Sequence, residues 1–450
     1  LQNRELVTEL QDEQVELAHQ ALHDPLTSLP NRAQFLNRLH EGLANASDPR
    51  RRHVVMFMDL NGFKGINDTL GHDAGDALLV GVAGRLTSSV GSDGLVARLG
   101  GDEFTVLLEP LTDLSEAMAI AQRISLAMEE PFQLGEAAVV VGGSIGISVA
   151  ELGLSGTEIL RRADVAMYAA QSSKATPRIA VYHATLDGQD QRRGRLSGEF
   201  VKALEAGDLH MVYQPLLTPA GQLRGVEALL RWTHTELGIV SPDEFIEVAE
   251  ASGFIADLGE WVLEKACQDA RRWPEHVTVA VNVSAKQFLR GSVVEDVQRA
   301  LKKSGIAPRR LEIEITESSF LHATEDLLVQ LAELKKAGVS ISLDDFGTGY
   351  SSFAYLAKFP VDKIKVDRMF LRQIVDTSAS RSVVRSVQVL AEGLGMKVLC
   401  EGVETAEQYE MVREIGCAQI QGFYFGKPQS AADISKLFAA VEKKTLQDAV

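Results

Sequence analysis

Apolar and polar positions along the chain change period several times, and each change marks an element. Val7, Leu10, Gln14, Leu17 and Ala21 fall at a/d spacing with charges between them. This predicts one helix over residues 1–22, either a solvated lead-in or a dimerising signalling helix below an upstream sensor. Pro25, in His23-Asp24-Pro25-Leu26-Thr27, ends it. From Val54 to about His183, strand-like runs alternate with helical patterns. A buried-strand run over 53–58 stops at Asp59, and a helix follows with Leu70, Leu78, Leu79, Val82 and Leu86 on one face. Runs at 95–99 and 104–108 flank Gly100-Gly101, and helix 114–128, strand 138–149, helix 157–171 and strand 179–182 complete the set. Short strands with crossover helices predict an α/β or α+β sheet domain.

The polar, Arg-, Gln- and Glu-rich stretch 189–205 reads as a connector. Beyond it come eight strand-like runs, at 211–214, 223–230, 277–283, 311–315, 339–343, 361–366, 397–400 and 418–422, mostly separated by helical patterns. That tally predicts a β/α, TIM-like barrel. The first two runs have no helix between them, which predicts a hairpin and an irregular barrel. The expected organisation is a helix at 1–22, a first domain at 23–185, a linker helix at 186–198 and a barrel at 199–445.

Composition narrows the class. At 450 residues the chain exceeds what one core usually serves. A formal net charge of −17 argues against a polymeric nucleic-acid partner, though a nucleotide can still be received through metals. Three cysteines, Cys267, Cys400 and Cys417, are too few and too scattered for a disulfide framework or a zinc site, which fits a reducing cytoplasm. No apolar run approaches the length of a membrane span. The start at Leu1, without Met or a signal-like segment, fits the cytoplasmic end of a longer, membrane-anchored protein with a sensor upstream.

The chemistry concentrates where strands end. Glu227, Asn282, Glu314, Asp344 with Asp345, Lys365, Glu401 and Gln421 all lie in or at the ends of barrel strands, nearly all at the C-terminal end. A barrel brings those ends to one mouth, where barrel enzymes place their chemistry. Buried carboxylates cost several kcal/mol each unless paired or metal-bound. Two divalent cations would neutralise such a set and suit phosphodiester hydrolysis. Lys365 would add positive charge beside the attacking water or a phosphoryl oxygen.

These residues stand in recognisable segments. Glu227-Ala228-Leu229-Leu230-Arg231-Trp232 resembles the EAL family of cyclic di-GMP phosphodiesterases. So do Tyr213-Gln214-Pro215, Asn282-Val283-Ser284, Glu314-Ile315-Thr316-Glu317, Asp344-Asp345-Phe346-Gly347-Thr348-Gly349, Lys365-Val366-Asp367, Glu401-Gly402-Val403-Glu404 and Gln421-Gly422-Phe423. The resemblance implies hydrolysis of cyclic di-GMP to the linear dinucleotide, with two Mg²⁺ or Mn²⁺ held by Glu227, Asn282, Glu314, Asp344, Asp345 and Glu401. It implies Lys365 and Gln421 near the nucleophilic water, and Gln214 and Arg231 on the substrate. It also implies a coupling element built from Glu317, Glu404 and the loop Phe346, Gly347, Thr348 and Gly349. Cys400 stands where Ala is commoner.

In the first domain, Asp59 at a strand end and Asp102 at the glycine turn could meet if their strands are neighbours. With the Leu60 carbonyl they could hold Mg²⁺ against a triphosphate. Gly100-Gly101-Asp102-Glu103-Phe104 resembles the GGDEF family of diguanylate cyclases, as do Asp24-Pro25-Leu26-Thr27, Asp59-Leu60-Asn61-Gly62-Phe63-Lys64, Asn67-Asp68 and Gly75-Asp76. The resemblance implies catalysis at Asp102 and Glu103, GTP contacts from Lys64, Asn67, Asp76 and Arg98, and guanine reading by Asn67 and Asp76. Three departures stand out. Gly91-Ser92-Asp93-Gly94 lacks the Arg of the family's product-inhibition site, Gln171 replaces a phosphate-binding Lys, and Lys174-Ala175 replaces a Gly-Arg pair. Losing two cations weakens the grip on a triphosphate, so GTP binding is expected ahead of fast cyclisation. The reading is a tandem GGDEF–EAL protein with no nucleic-acid polymer as partner, acting as a homodimer, whose working activity is cyclic di-GMP hydrolysis. Net diguanylate cyclase activity is the second reading, and a non-enzymatic receptor for cyclic di-GMP or GTP the third.

Overall fold

The computed structural model describes residues 21–44, 52–135, 137–151, 153–172, 176–317, 325–347, 356 and 359–448. Residues 1–20 of the expected N-terminal helix, Lys174, Ala175, Thr348, Gly349 and Tyr350 lie outside the described residues. The chain divides into two compact units between Gly194 and Arg195.

The first unit is built on five strands: β1 Arg52–Leu60, β2 Gly94–Gly100, β3 Glu103–Leu111, β6 Gly143–Val149 and β7 Ile179–Val181, in the order β2-β3-β1-β6-β7. All neighbours are antiparallel except β6 and β7. Strand β1 is apolar from Val54 to Met58 because both of its faces are covered. Val54, Met56 and Met58 pack with Leu78, Val82 and Ile124, while Val55 and Phe57 pack with Phe35, Leu39 and Ile159. The expected single strand at 138–149 is two strands. Ala137–Val139 (β5) pairs with Phe132–Leu134 (β4) as a separate ribbon, and only β6 joins the sheet. The expected helix beginning near Leu70 is also two, Phe63–Leu70 and His72–Val90, split at Gly71. Leu70 is accordingly exposed, whereas Leu78, Leu79, Val82 and Leu86 are buried.

The second unit is a closed barrel. Its strands are β8 Leu209–Leu217, β9 Leu223–His234, β11 Thr278–Asn282, β12 Leu311–Thr316, β13 Ser340–Phe346, β14 Lys363–Val366, β15 Lys397–Cys400 and β16 Gln419–Ile420, with β10 Gly238–Val240 added to the end of β9. All eight expected runs are strands. β8 is antiparallel to both β9 and β16, so the predicted hairpin closes the ring, and the other neighbours run parallel.

Residue alternation assigns two jobs to each strand. Ile313, Ile315, Ile341, Leu343, Ile364 and Val366 belong to the apolar layer shared with the outer helices. Their alternates, Glu312, Glu314, Ser342, Asp344, Lys363 and Lys365, are equally buried but polar. The interior of this barrel is therefore a charged column rather than the stack of branched aliphatics that usually fills one.

Candidate functional site

Lys365 organises the mouth. It is fully buried, and its Nζ lies 2.8 Å from Glu314 Oε2, 3.0 Å from Asp344 Oδ2, 3.5 Å from Glu227 Oε1 and 2.8 Å from Glu401 Oε1. The expectation that these acids need a cation is met first from within the chain. Burial alone would depress the Lys365 ammonium, but the four carboxylates outweigh it and hold it well above its ordinary value. Glu227 is fixed on its other side by amides, from Asn282 Nδ2 at 2.9 Å and Gln421 Nε2 at 2.6 Å, and Gln421 also donates to Gln214 Oε1 at 3.1 Å. Burial works to raise Glu227, yet Lys365 and the two amides hold its carboxyl below the usual range.

One ammonium does not satisfy four acids. Burial holds Glu314 well above the ordinary carboxylate value, with Lys365 opposing, and pushes Glu401 up to about 8. Glu314 Oε1 is buried without a hydrogen-bond partner. The carboxylates fall into two sets, Glu227 with Glu314 and Asp344, and Asp344 with Asp345 and Glu401, each with ligand atoms within 4.8 Å of one another. Asp344 is common to both. An unmet buried oxygen and an all-oxygen donor set fit hard divalent cations.

Adjacent residues on a strand normally face opposite ways, so Asp344 and Asp345 should not reach one site. The backbone resolves this. Asp345 has φ of 57°, a left-handed conformation that Asp tolerates better than most residues, and the β13–β14 register shifts between Leu343 and Phe346. Asp345 N–H donates to Asp344 Oδ1 at 2.8 Å across this kink. Just beyond, Gly347 N–H donates to Glu317 Oε2 at 2.7 Å, which ties the start of the expected coupling loop to the end of β12. Phe346 is buried, and Glu404 is exposed ahead of the helix Ala406–Ile415. Arg231 is half-buried beside Glu227, with Nη1 donating to Leu230 O at 2.8 Å, and burial lowers its pKa.

In the first unit β1 and β3 are neighbours, with Asp59 opposite Glu103. Gly100 and Gly101 take φ of 146° and 54°, so the turn presenting Asp102 requires glycines. Burial, then the charges of Asp102, Glu103 and Asp164, raise Asp59 to about 7. Asp164, on the helix Gly156–Ser172, was not among the expected site residues. Its signal was its place in the segment Ala163-Asp164-Val165-Ala166-Met167-Tyr168 of that helix. Gln171 Nε2, on the same helix, lies 3.3 Å from Asp59 Oδ2. Arg98, expected on nucleotide, is buried and otherwise engaged. It pairs with Asp24 at 2.9 Å and donates to Gly101 O from Nε and Nη2 at 3.0 and 2.7 Å, which makes it a clamp on the turn. Lys64 and Asp76 are exposed, and Asn67 Oδ1 is buried without a partner. The Leu60 side chain is buried in the core.

With this geometry established, comparison with known proteins decides the family. The EAL domain model matches residues 197–428, and the model for the diguanylate cyclase GGDEF domain matches 21–176. The chain belongs to the EAL family and carries a GGDEF domain ahead of it. Among its relatives, the bifunctional diguanylate cyclase/cyclic di-GMP phosphodiesterase MucR of Pseudomonas aeruginosa is 38% identical over 435 residues, 95% of this chain and 63% of that protein. The cyclic di-GMP phosphodiesterase NbdA of the same species is 37% identical over 443 residues, 97% and 56% of the respective lengths. The chain thus spans little more than half to under two thirds of these relatives. A solved structure described as the PaMucR phosphodiesterase in complex with c-di-GMP is 39% identical, covers 53% of this chain and 99% of its own, and superposes with a TM-score of 0.52. The S helix-GGDEF-EAL portion of Vibrio cholerae LapD, at 19% identity and a TM-score of 0.64 over 93% of this chain, shares the tandem fold. Among the described residues of this GGDEF–EAL chain, no helix is long and apolar enough to cross a membrane.

Proposed function

We propose that the EAL barrel hydrolyses cyclic di-GMP to the linear dinucleotide using two Mg²⁺ or Mn²⁺ ions. The observation that carries this reading is the pair of carboxylate sets sharing Asp344. Glu227, Asn282, Glu314 and Asp344 would hold one ion, and Asp344, Asp345 and Glu401 the other. Bound there, such ions lower the pKa of a water and offset charge on the phosphoryl oxygens. The chain's own residues do the rest. Lys365 keeps a positive charge beside the reacting phosphate, Gln421 and Asn282 fix Glu227, and Gln214 and Arg231 contact substrate. The direct test is chromatography of cyclic di-GMP incubated with Mg²⁺ or Mn²⁺. Conversion to the linear dinucleotide, abolished by chelation and by E227A, is expected; no conversion would reject the reading.

Metal binding should depend on pH. The metal-free Glu401 carboxyl is raised from 4.5 to about 8, so its contribution to stability is present below 4.5 and lost as pH rises through 8. A bound divalent ion favours the ionised form and removes that loss. The gap in melting temperature between Mn²⁺-saturated and metal-free protein is therefore expected to widen from pH 5 to pH 8.5.

The GGDEF domain is proposed to bind GTP with Mg²⁺ at Asp59, Asp102 and the Leu60 carbonyl, with Glu103 at the turn and Lys64, Asn67 and Asp76 on the nucleotide. It would regulate the barrel or cyclise slowly. Gln171 supports slow turnover, because a neutral amide meets Asp59 where a cation would grip phosphate. Q171K should raise cyclic di-GMP formation from GTP, read by the same chromatography. A homodimer, and a sensor preceding this chain, complete the proposal. Net accumulation of cyclic di-GMP from GTP, with no decay of added cyclic di-GMP, would favour the cyclase reading instead.

A further inference from the structure

Directly below the mouth, on the same two strands and the same inner face, lies a second ion pair. Lys363 Nζ is 2.7 Å from each oxygen of Glu312, and both residues are about 95% buried. Glu312 precedes Glu314 by two positions on β12, and Lys363 precedes Lys365 by two on β14. Neither residue belongs to the carboxylate sets of the mouth. A buried pair is weak evidence for stability, since apolar residues of similar size often hold a core as well. Its position suggests another purpose.

We propose that Lys363 is a positioning residue that keeps Lys365 in the mouth by occupying Glu312. Glu312 and Glu314 point into the same column, and the Glu312 charge is felt at Glu314. An unpaired carboxylate at Glu312 would be a buried charge in want of a cation, and the flexible Lys365 side chain, two positions along β14 from Lys363, is a buried ammonium in the same column. Lys363 forecloses that competition by taking both Glu312 oxygens. The ammonium of Lys365 is thereby left to Glu314, Asp344, Glu227 and Glu401. The two ion pairs form a ladder whose lower rung fixes the upper one. This inference rests on the phosphodiesterase reading for its kinetic consequences, but its structural claim can be tested through metal binding alone.

The experiment compares wild type, K363M, K363R and E312L/K363M. In K363M, Lys365 is drawn down to Glu312. The expected results are a fall in kcat of about tenfold or more, the range seen when outer-shell partners are lost, with KM little changed, and tighter Mn²⁺ binding by calorimetry because an ammonium no longer competes for Glu314 and Asp344. In E312L/K363M the competing carboxylate is gone, so both kcat and Mn²⁺ affinity return towards wild type. K363R, which keeps the pairing, should stay near wild type. If K363M does not fold, K363Q takes its place in the same comparison. Wild-type Mn²⁺ affinity and kcat in the single variant, or a double variant no closer to wild type than the single one, would overturn the proposal. If wild type binds Mn²⁺ but hydrolyses no cyclic di-GMP, the functional reading fails, and the Mn²⁺ affinities of the four proteins still decide this one.

Discussion

Metal-free K365M is expected to be destabilised by about 3–5 kcal/mol, the usual cost of removing one partner of a buried ion pair, and to lose turnover. Lys365 is the fully buried contact of four acids, so its loss leaves Glu227, Glu314, Asp344 and Glu401 facing one another. Their remaining escape is protonation, which raises folded pKa values further. Stability from a raised carboxyl is present below its unfolded pKa and lost as pH rises, so the defect should be smaller at pH 5 than at pH 8. Saturating Mn²⁺ should recover much of the stability but not the activity, because cations replace the charge but not the place proposed for the ammonium beside the phosphate. Urea unfolding at both pH values, with and without Mn²⁺, checks this. Equal stability of variant and wild type without metal would show that the ammonium is not the counter-charge of the mouth.

D344N is expected to cut hydrolysis more deeply than E227Q or E401Q. Asp344 belongs to both carboxylate sets, whereas Glu227 and Glu401 belong to one each. Loss of outer-shell partners of a metal costs about 10–100-fold, so loss of a ligand common to two ions should exceed about 100-fold. The Asn carbonyl can still accept from Asp345 N–H, which preserves the kink. Its amide cannot accept from Lys365. Calorimetric stoichiometry should fall from two Mn²⁺ per barrel in wild type, while circular dichroism stays unchanged. Two ions and wild-type turnover in D344N would refute the shared-ligand assignment.

The strands of the barrel, the closing hairpin and the convergence of Glu227, Glu314, Asp344 and Glu401 were legible from alternation and strand ends. What escaped needed three dimensions. Glu312 and Lys363 obey the same alternation as Glu314 and Lys365, but they lie at the N-terminal starts of their strands and were passed over in favour of the C-terminal ends. Their bidentate contact joins strands separated by β13, and no local pattern announces it. The shared orientation of Asp344 and Asp345 depends on one left-handed residue, which a strand-like run conceals. Arg98 was placed on substrate by the family resemblance, whereas Asp24, 74 positions away, pairs with it and it clamps the turn itself. Gln171 could be read as a lost cation, but not as a donor to Asp59, because that contact spans 112 positions.

The division of each strand into an apolar and a charged side also guards the threading of the barrel. Moving a strand such as Leu311–Thr316 past its neighbours by one residue would turn Ile313 and Ile315 into the column and Glu312 and Glu314 into the greasy layer beneath the helices. The same exchange on Lys363–Val366 would bury two ammonium groups among aliphatics. Such misthreaded barrels forfeit apolar burial and strand charges at once, and each charged side chain stranded there without a partner costs several kcal/mol. The residues that would perform the chemistry therefore act during folding as a check on alignment, rejecting nearly correct barrels before any substrate arrives.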